Sequence, residues 1–316
     1  MPTDQIKRLQ NAIDALLSSY QEHPEIEHIG SIALPAKENI ILLIEDIQVL
    51  LFPGLIRQES FDTLNLPHLV GQQTVSIFYR LKEAIELVLC WKASEEGKSC
   101  EELPEFGEQV ENISFEFLEY IPELREILAE DVDAILKGDP ASVSKREIVL
   151  AYPGLHAVSV YRIAHFLHLR GVPLIPRIMT EHVHSKTGID IHPSVIIGKG
   201  LMIDHGTGIV IGETAIIKDH VRIYQGVTLG ALSPKNSMAN PVLKRHPTIE
   251  NNVIIYAGAT ILGDVVIGEG SIIGGNVWLT ENISPQSQVF LKDVTSAHEV
   301  RKKVGRSQNL KNVLTS

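Results

Sequence analysis

Apolar residues recur at every sixth position between residues 190 and 284, and this repeat organises the second half of the chain. A period of six residues with glycine at the corners is typical of a parallel β-helix, in which three repeats make one turn of a triangular prism. Thirteen repeats therefore predict roughly four turns. The repeat positions are Ile191, Ile197, Ile203, Ile209, Ala215, Val221 and Val227, followed by Ile249, Ile255, Ile261, Ile267, Ile273 and Leu279.

A second set of mostly small or β-branched residues follows the first at a spacing of four. Its members include Val195, Thr207, Val253, Ala259, Val265, Ser271 and Val277. The two runs of the first set are separated by 22 positions, where six would continue the period. About 16 residues are therefore predicted to leave the coil as a loop over 231–246.

The first 187 residues carry helical periodicity instead, with apolar side chains three and four positions apart. Helices are predicted over 40–51 and 117–137, the second ending at the Gly-Asp-Pro sequence of 138–140. Three further apolar faces are Ile6, Leu9, Ile13, Leu16 and Tyr20; Phe78, Leu81, Ile85 and Val88; and Ala157, Val160, Ala164 and Leu167. We therefore predict an α+β chain, with an all-helical domain over 1–187, a β-helix domain over 188–284 and a basic tail over 285–316.

Charge and cysteine content exclude some classes of function. The net charge of -11 argues against nonspecific binding to nucleic acid or to anionic membranes, since either needs a basic surface. The longest apolar run, 40–52, includes Glu45 and Asp46 and is too short to span a bilayer. Cys90 and Cys100 form no CxxC motif, and residues 1–19 do not read as a secretory segment, so we expect free thiols in the cytoplasm.

Polar residues that interrupt the apolar repeat are the candidates for chemistry. They are Asp190, His192, Asp204, His205, Glu213, Arg245 and His246. Asp190 and His205 are 15 positions apart, close to the 18 of one turn, so we expect them on neighbouring turns. A carboxylate there would hold one ring nitrogen of His205 and leave the other free to act as a base.

Histidines at 182, 184, 192, 205 and 246 raise the alternative of a zinc site between subunits. Catalytic zinc would need three imidazoles and an open position. His182 and His184 precede the coil, and His192 is followed by Pro193 at a corner, so we predict no metal.

Several strings resemble the serine O-acetyltransferases over about residues 130–285. They are TGIDIHP at 187–193, IDHGTGIVIGET at 203–214, QGVTLG at 225–230 and RHP at 245–247, with GDP at 138–140, GLHA at 154–157 and YRIAH at 161–165 upstream. This ordered set is more specific than the six-residue repeat, which other acyltransferases share. The resemblance implies a left-handed β-helix and transfer of acetyl from acetyl-CoA to the hydroxyl of L-serine, giving O-acetyl-L-serine for cysteine biosynthesis.

The resemblance also assigns roles. His205 would be the general base and Asp190 its orienting partner, while the role of Glu213 stays open between catalysis and support. The substrate-binding set would be Asp139 and Asp204 for the serine ammonium, and Arg245 and His246 for its carboxylate. An amino acid presents one charge of each sign, which suits this division. For Asp139, capping of the preceding helix is an equally good interpretation.

Acetyl-CoA would lie between adjacent prisms, so the resemblance implies a homotrimer with three shared sites, or a dimer of trimers. Small residues that would let its pantetheine arm approach the backbone are Gly230, Ala231, Ala257 and Gly258. L-cysteine would be a feedback inhibitor at the serine site. Many members end in Ile, which docks in O-acetylserine sulfhydrylase, whereas this chain ends in Leu-Thr-Ser at 314–316, so weak or no docking is predicted.

Two alternatives remain open. The acceptor of the acetyl group could be another hydroxyl or amine, such as that of homoserine or a sugar, although a carboxylate-binding Arg245 counts against a sugar. The chain could also be a non-catalytic scaffold for a partner in cysteine synthesis. The presence of both Asp190 and His205 counts against a scaffold, which needs neither.

Overall fold

The computed structural model describes residues 1–57, 64–232 and 243–291. It shows helices followed by a parallel coil of short strands, as the α+β prediction requires. Positions 233–242 of the predicted loop and 292–316 of the predicted tail lie outside the described residues. What we expect of them, including the weak docking of the C-terminus, stays a prediction.

Seven α-helices in the described residues precede the coil. They are α1 (Thr3–Glu22), α2 (Lys37–Leu51), α3 (Leu66–Glu95), α4 (Phe106–Gly138), α5 (Lys145–Ala151), α6 (Pro153–Leu169) and α7 (Ile175–Thr187), with short 3₁₀ helices at Pro24–Ile26 and Cys100–Glu102. The helical periodicity predicts all of them except the short α5 and α7. The apolar stripe of α1 is exposed throughout, so that helix buries none of its residues.

The described residues form two compact units. The first consists of Met1–Ile121 and Phe166–Met179, and the second of Pro122–His165 and the described residues from Thr180 onwards. The division falls inside α4, α6 and α7. The predicted boundary at residue 187 coincides with the end of α7, but the domain assignment itself stays a prediction.

A disulfide joins Cys90, near the end of α3, to Cys100 in the following 3₁₀ helix. The prediction of free thiols is therefore wrong. The chain reverses direction at Gly97, whose φ of 73° is left-handed, and brings the two Cα atoms to 5.0 Å. Disulfides need Cα atoms about 4.4–6.8 Å apart, and a spacing of ten residues does not reveal such a reversal. The cytoplasmic prediction loses the support that it took from free thiols.

The coil has three faces of parallel strands, stacked turn on turn. Face A is β1 (Ile189–Ile191), β4 (Ile209–Ile211), β7 (Thr228–Gly230), β10 (Thr260–Leu262) and β13 (Trp278–Leu279); face B is β2 (Ile196–Ile197), β5 (Ile216–Ile217), β8 (Thr248–Ile249) and β11 (Val266–Ile267); face C is β3 (Met202–Asp204), β6 (Arg222–Tyr224), β9 (Ile254–Ile255), β12 (Ile272–Ile273) and β14 (Gln288–Val289). Two faces have five strands in the described residues, so the coil makes about five turns, not four.

The register of the strands corrects the predicted loop. Val210 pairs with Thr228, the expected 18 positions on, but Ile203 pairs with Ile223, 20 positions on. Two extra residues therefore lie between β3 and β4. Between β5 and β8 the pair Ile216 and Thr248 is 32 positions apart, so 14 residues are inserted there. The single insertion of about 16 residues is thus two insertions. Thr207, a member of the second repeat set, is exposed in the first of them.

Buried polar bonds within the second unit fix its helices to the first turn of the coil. Asp131 on α4 forms a bidentate pair with Arg162 on α6, at 2.9 and 3.0 Å, and also accepts the backbone N–H of Leu201 at 2.9 Å. Arg162 donates in addition to the carbonyl of Gly198 at 2.7 Å. These bonds hold α4 and α6 against the corner between β2 and β3.

No helix in the described part of the chain is both long and apolar enough to cross a membrane.

Candidate active site

The two-residue insertion between β3 and β4 forms the corner that carries His205. We call this corner, with those stacked above it at 225–227 and 257–259, the C–A edge of the prism. His205, Gly206 and Gly208 all have left-handed φ, at 57°, 82° and 81°. A Cβ on Gly206 would lie 2.5 Å from the Ile189 side chain, so glycine is required there. The imidazole of His205 is 72% exposed and therefore accessible to a substrate.

Two carboxylates lie near this imidazole. Asp204, largely buried at the end of β3, has Oδ1 3.8 Å from His205 Nδ1. Asp139, directly after α4, accepts the Tyr152 hydroxyl at 2.7 Å and the Ala141 backbone N–H at 2.8 Å. The Tyr152 bond, followed by the Ala141 bond, lowers the pKa of Asp139, and His205 also contributes. Asp139 is therefore ionised at neutral pH, and it caps the turn after α4 as well as facing the site.

Glycines in the helical region allow this approach. A Cβ on Gly138 would lie 2.1 Å from the Met202 sulfur, and a Cβ on Gly154 would lie 2.3 Å from the Ile203 carbonyl oxygen. The end of α4 and the start of α6 can therefore pack directly on β3. Both glycines belong to the strings that carry the family resemblance. Close packing explains why glycine is needed at these two positions.

Three tyrosines near this edge were not predicted. Hydrogen bonding to Asp139 raises the pKa of Tyr152 to about 12, so its hydroxyl stays protonated and donates. Tyr224 lies opposite Asp204 in the register of β3 and β6, and its ring stacks on Tyr256 at 5.2 Å. Burial, followed by the charge of Asp204, raises the pKa of Tyr224. In the sequence, the stacked pair of Tyr224 and Tyr256 is signalled only by the outward positions that the two residues take on face C.

Asp190 lies on β1, and β1 stacks directly on β4, the strand that His205 leads into. Within the described residues no hydrogen bond joins Asp190 to His205. The Asp190 carboxylate instead lies beside Glu181 and His184 of α7, with one donor atom from each of the three within 4.8 Å of the others. The pairing of Asp190 with His205 stays a prediction, and so does the absence of a metal, for which these three side chains are the candidate ligands.

Arg245 and His246 lie at a different edge, between faces A and B, which we call the A–B edge. Arg245 Nη2 donates to the Glu213 carboxylate. The Nδ1 of His246 accepts the backbone N–H of Thr214 at 3.0 Å and is 2.9 Å from the Thr214 hydroxyl. A Cβ on Gly212 would lie 2.1 Å from His246 Nε2, so the ring packs directly over that glycine.

His246 is neutral at physiological pH. The residue is 7% exposed, and burial, followed by the charge of Arg245, lowers its pKa to about 4. Because the Thr214 amide can only donate, Nδ1 must be an acceptor, and the single ring proton of a neutral imidazole then lies on Nε2. The edge thus presents one guanidinium and one neutral N–H donor.

The candidate acetyl-CoA residues divide between the same two edges. Gly230 ends β7, and Ala231 follows it at the A–B edge. Ala257 and Gly258 precede β10 at the C–A edge, where Gly258 has a left-handed φ of 72°. A single chain therefore carries two separate groups of candidate residues, which we call half-sites. One holds carboxylates and an exposed imidazole, and the other holds a guanidinium and a neutral donor.

Comparisons with known proteins identify the relatives of this chain. The model of the bacterial transferase hexapeptide family (six repeats) matches residues 246–281. A plasmid-encoded serine acetyltransferase of Synechococcus elongatus is 38% identical over 292 residues, which is 90% of this chain and 92% of that protein. The chain belongs to the serine acetyltransferase family. The prediction of a serine O-acetyltransferase is therefore confirmed.

Solved structures of serine acetyltransferases extend the likeness to the fold. Entamoeba histolytica isoform 3, in complex with cysteine, superposes with a TM-score of 0.67 at 34% identity, covering 95% of both chains. The Neisseria gonorrhoeae enzyme in complex with serine has a TM-score of 0.52 at 27% identity and covers 79% of this chain and 95% of its own. The predicted helical domain followed by a left-handed β-helix is confirmed.

Proposed function

We propose that this serine acetyltransferase uses acetyl-CoA as donor and L-serine as acceptor, with His205 as general base. The observation that carries the assignment is the division of charge between the two edges. Asp139 and Asp204 flank an exposed imidazole on one edge, while Arg245 and His246 present cationic and neutral donors on the other. An α-amino acid carries an ammonium and a carboxylate, and this pair of half-sites complements both groups.

The reaction needs a base because a serine hydroxyl is a poor nucleophile while it keeps its proton. His205 would accept that proton as the oxygen attacks the thioester carbonyl. The tetrahedral intermediate would then expel the thiolate of CoA, and the imidazolium would return the proton to the sulfur, which leaves O-acetyl-L-serine and CoA. Exposure of His205 at a glycine-flanked corner supports this role, since both substrates must reach the same ring nitrogen.

The imidazolium that forms would be stabilised by a carboxylate. Asp190 is the partner that the family resemblance assigns. The Asp204 carboxylate is also close, at 3.8 Å from Nδ1. A double comparison of Asp190→Asn and Asp204→Asn decides between them, because the orienting partner should affect kcat most and a residue that binds ammonium should affect the KM for serine most.

Assembly as a homotrimer would complete the site. The half-sites lie at different edges of one prism, and a neighbouring copy would bring its A–B edge against the C–A edge of the first. The same contact would join Gly230 and Ala231 of one copy to Ala257 and Gly258 of the next and form the acetyl-CoA groove. Whether two trimers associate through the helices is a separate question, answered by the mass of the particle in solution.

L-cysteine fits the same proposed site as an inhibitor. It has the ammonium and carboxylate of serine, and its thiol would occupy the place of the hydroxyl. The complex of the Entamoeba histolytica relative with cysteine supports this assignment. An inhibitor bound in this way should compete with serine.

The decisive experiment measures release of CoA from acetyl-CoA by purified protein with L-serine, with L-homoserine and with no acceptor. CoA is separated by chromatography, so that added L-cysteine does not interfere. Release with serine alone, reduced by L-cysteine, is the expected result. Release with homoserine alone would overturn the assignment of L-serine as the acceptor. Binding of acetyl-CoA without any release would favour the alternative of a non-catalytic scaffold.

A further inference from the structure

Thr214 uses the full hydrogen-bonding capacity of its hydroxyl on the two residues proposed to hold the serine carboxylate. Its Oγ1 accepts the backbone N–H of Arg245 at 2.9 Å and the backbone N–H of His246 at 3.1 Å. The hydroxyl proton is then directed to His246 Nδ1, at 2.9 Å. A threonine hydroxyl offers one donor and two acceptor sites, so all three are engaged within this one cluster.

These bonds hold a segment that lies just before a strand and is not paired in the sheet. β8 starts at Thr248, so Arg245 and His246 precede the regular pairing that fixes the rest of the turn. Their sequence distance from Thr214 is 31 and 32 positions, across the long insertion. The Thr214 hydroxyl therefore accepts two backbone N–H groups that no strand pairing satisfies. It thereby fixes the backbone positions from which the Arg245 and His246 side chains extend.

The two residues before Thr214 contact the side chains of His246 and Arg245. Gly212 leaves room for the His246 ring, and Glu213 holds the Arg245 guanidinium. Thr214 sets the backbone and, through two donors to Nδ1, the tautomer of His246 that keeps a proton on Nε2. Without that tautomer the ring would offer an acceptor towards a carboxylate, which is repulsive.

We propose that Thr214 is the positioning residue for recognition of the acceptor's carboxylate. It touches neither the reacting atoms nor the acetyl donor, and acts through Arg245 and His246. The inference rests on the proposed role of those two residues, so its signature is a change in acceptor affinity that leaves donor affinity unchanged.

The test is Thr214→Val, which keeps the shape and removes the hydroxyl. We expect the KM for L-serine to rise at least ~10-fold, which corresponds to about 1.4 kcal/mol. The KM for acetyl-CoA should stay within about twofold, since a lost neutral hydrogen bond acts only on the groups that it holds. Thr214→Ser keeps the hydroxyl, and its KM for serine should stay near the wild-type value.

Thr248→Val is the matched control, because Thr248 is a half-buried threonine two residues beyond His246 and should leave both KM values unchanged. If Thr214→Val does not fold, Thr214→Cys replaces it, and its weak donor and acceptor should give the same split at smaller magnitude. Equal rises in both KM values, or failure of Thr214→Ser to rescue, would overturn the inference. An inactive wild-type protein would overturn the proposed function instead.

Discussion

The pKa of His246 predicts how the stability of this protein depends on pH. Burial lowers that pKa from its ordinary 6.5 to about 4. The folded state therefore resists protonation, and the unfolded chain takes up the proton first. The resulting stabilisation is fully present above pH 6.5 and is lost as the pH falls from 6.5 towards 4. At about 1.4 kcal/mol for each unit, protonation of this one ring would remove about 3 kcal/mol.

The perturbation is His246→Gln, which keeps an acceptor for the Thr214 amide and cannot be protonated. Unfolding free energies would be measured with guanidinium at pH 7.0 and 4.5, at equal protein concentration because assembly contributes to stability. The wild type should lose about 2–3 kcal/mol more than the variant between the two pH values. Groups shared by both proteins cancel in this comparison. His220→Gln, at an exposed corner, serves as control and should behave as the wild type.

Equal losses in the wild type and in His246→Gln would refute the reasoning. His246 would then not resist protonation in the folded state, and its assignment as a neutral N–H donor to the substrate carboxylate would fail with it.

Three other substitutions test the catalytic and structural roles. His205→Ala should lower kcat at least ~10²-fold with the fold intact, the usual scale for a lost general base, as measured by CoA release and circular dichroism. Arg245→Ala should raise the KM for serine about 10–100-fold, corresponding to a charged hydrogen bond of about 1.5–3 kcal/mol, and should affect acetyl-CoA less. Asp131→Asn leaves the Arg162 charge buried without its partner and should lower the unfolding free energy by about 3–5 kcal/mol.

Each of these has a contrary outcome. His220→Ala is the control for the base, because His220 is also an exposed corner histidine with a φ of 57°. A near-wild-type rate for His205→Ala would show that another group takes the proton. Equal changes in both KM values for Arg245→Ala would indicate a general effect on the loop. An unchanged midpoint for Asp131→Asn would mean that the pair contributes little beyond its packing.

The sequence by itself determined the coil and the identity of the family. An inward apolar residue at every sixth position is a local requirement of a stacked coil, so it is visible without the structure. The motif at 203–214 also marked Asp204, His205 and Glu213 before their surroundings were known.

Only the tertiary structure revealed the two-residue insertion at His205. On β1 and β4 two residues, two positions apart, turn inward, as Ile209 and Ile211 do on β4. An insertion of two residues moves the repeat from one inward position to the other and leaves the period of six unbroken. The spacing from Ile203 to Ile209 is therefore six, as if nothing were inserted. The two inserted residues were counted instead in the predicted loop over 231–246.

Contacts between distant segments were equally hidden. The Cys90–Cys100 disulfide depends on a reversal at Gly97, and the Tyr152 bond to Asp139 depends on how two helix ends pack against β3. Thr214 has an ordinary place in the repeat, and its partners come from beyond a 14-residue insertion. Such roles arise from side chains that meet across the fold, which periodicity along one chain does not encode.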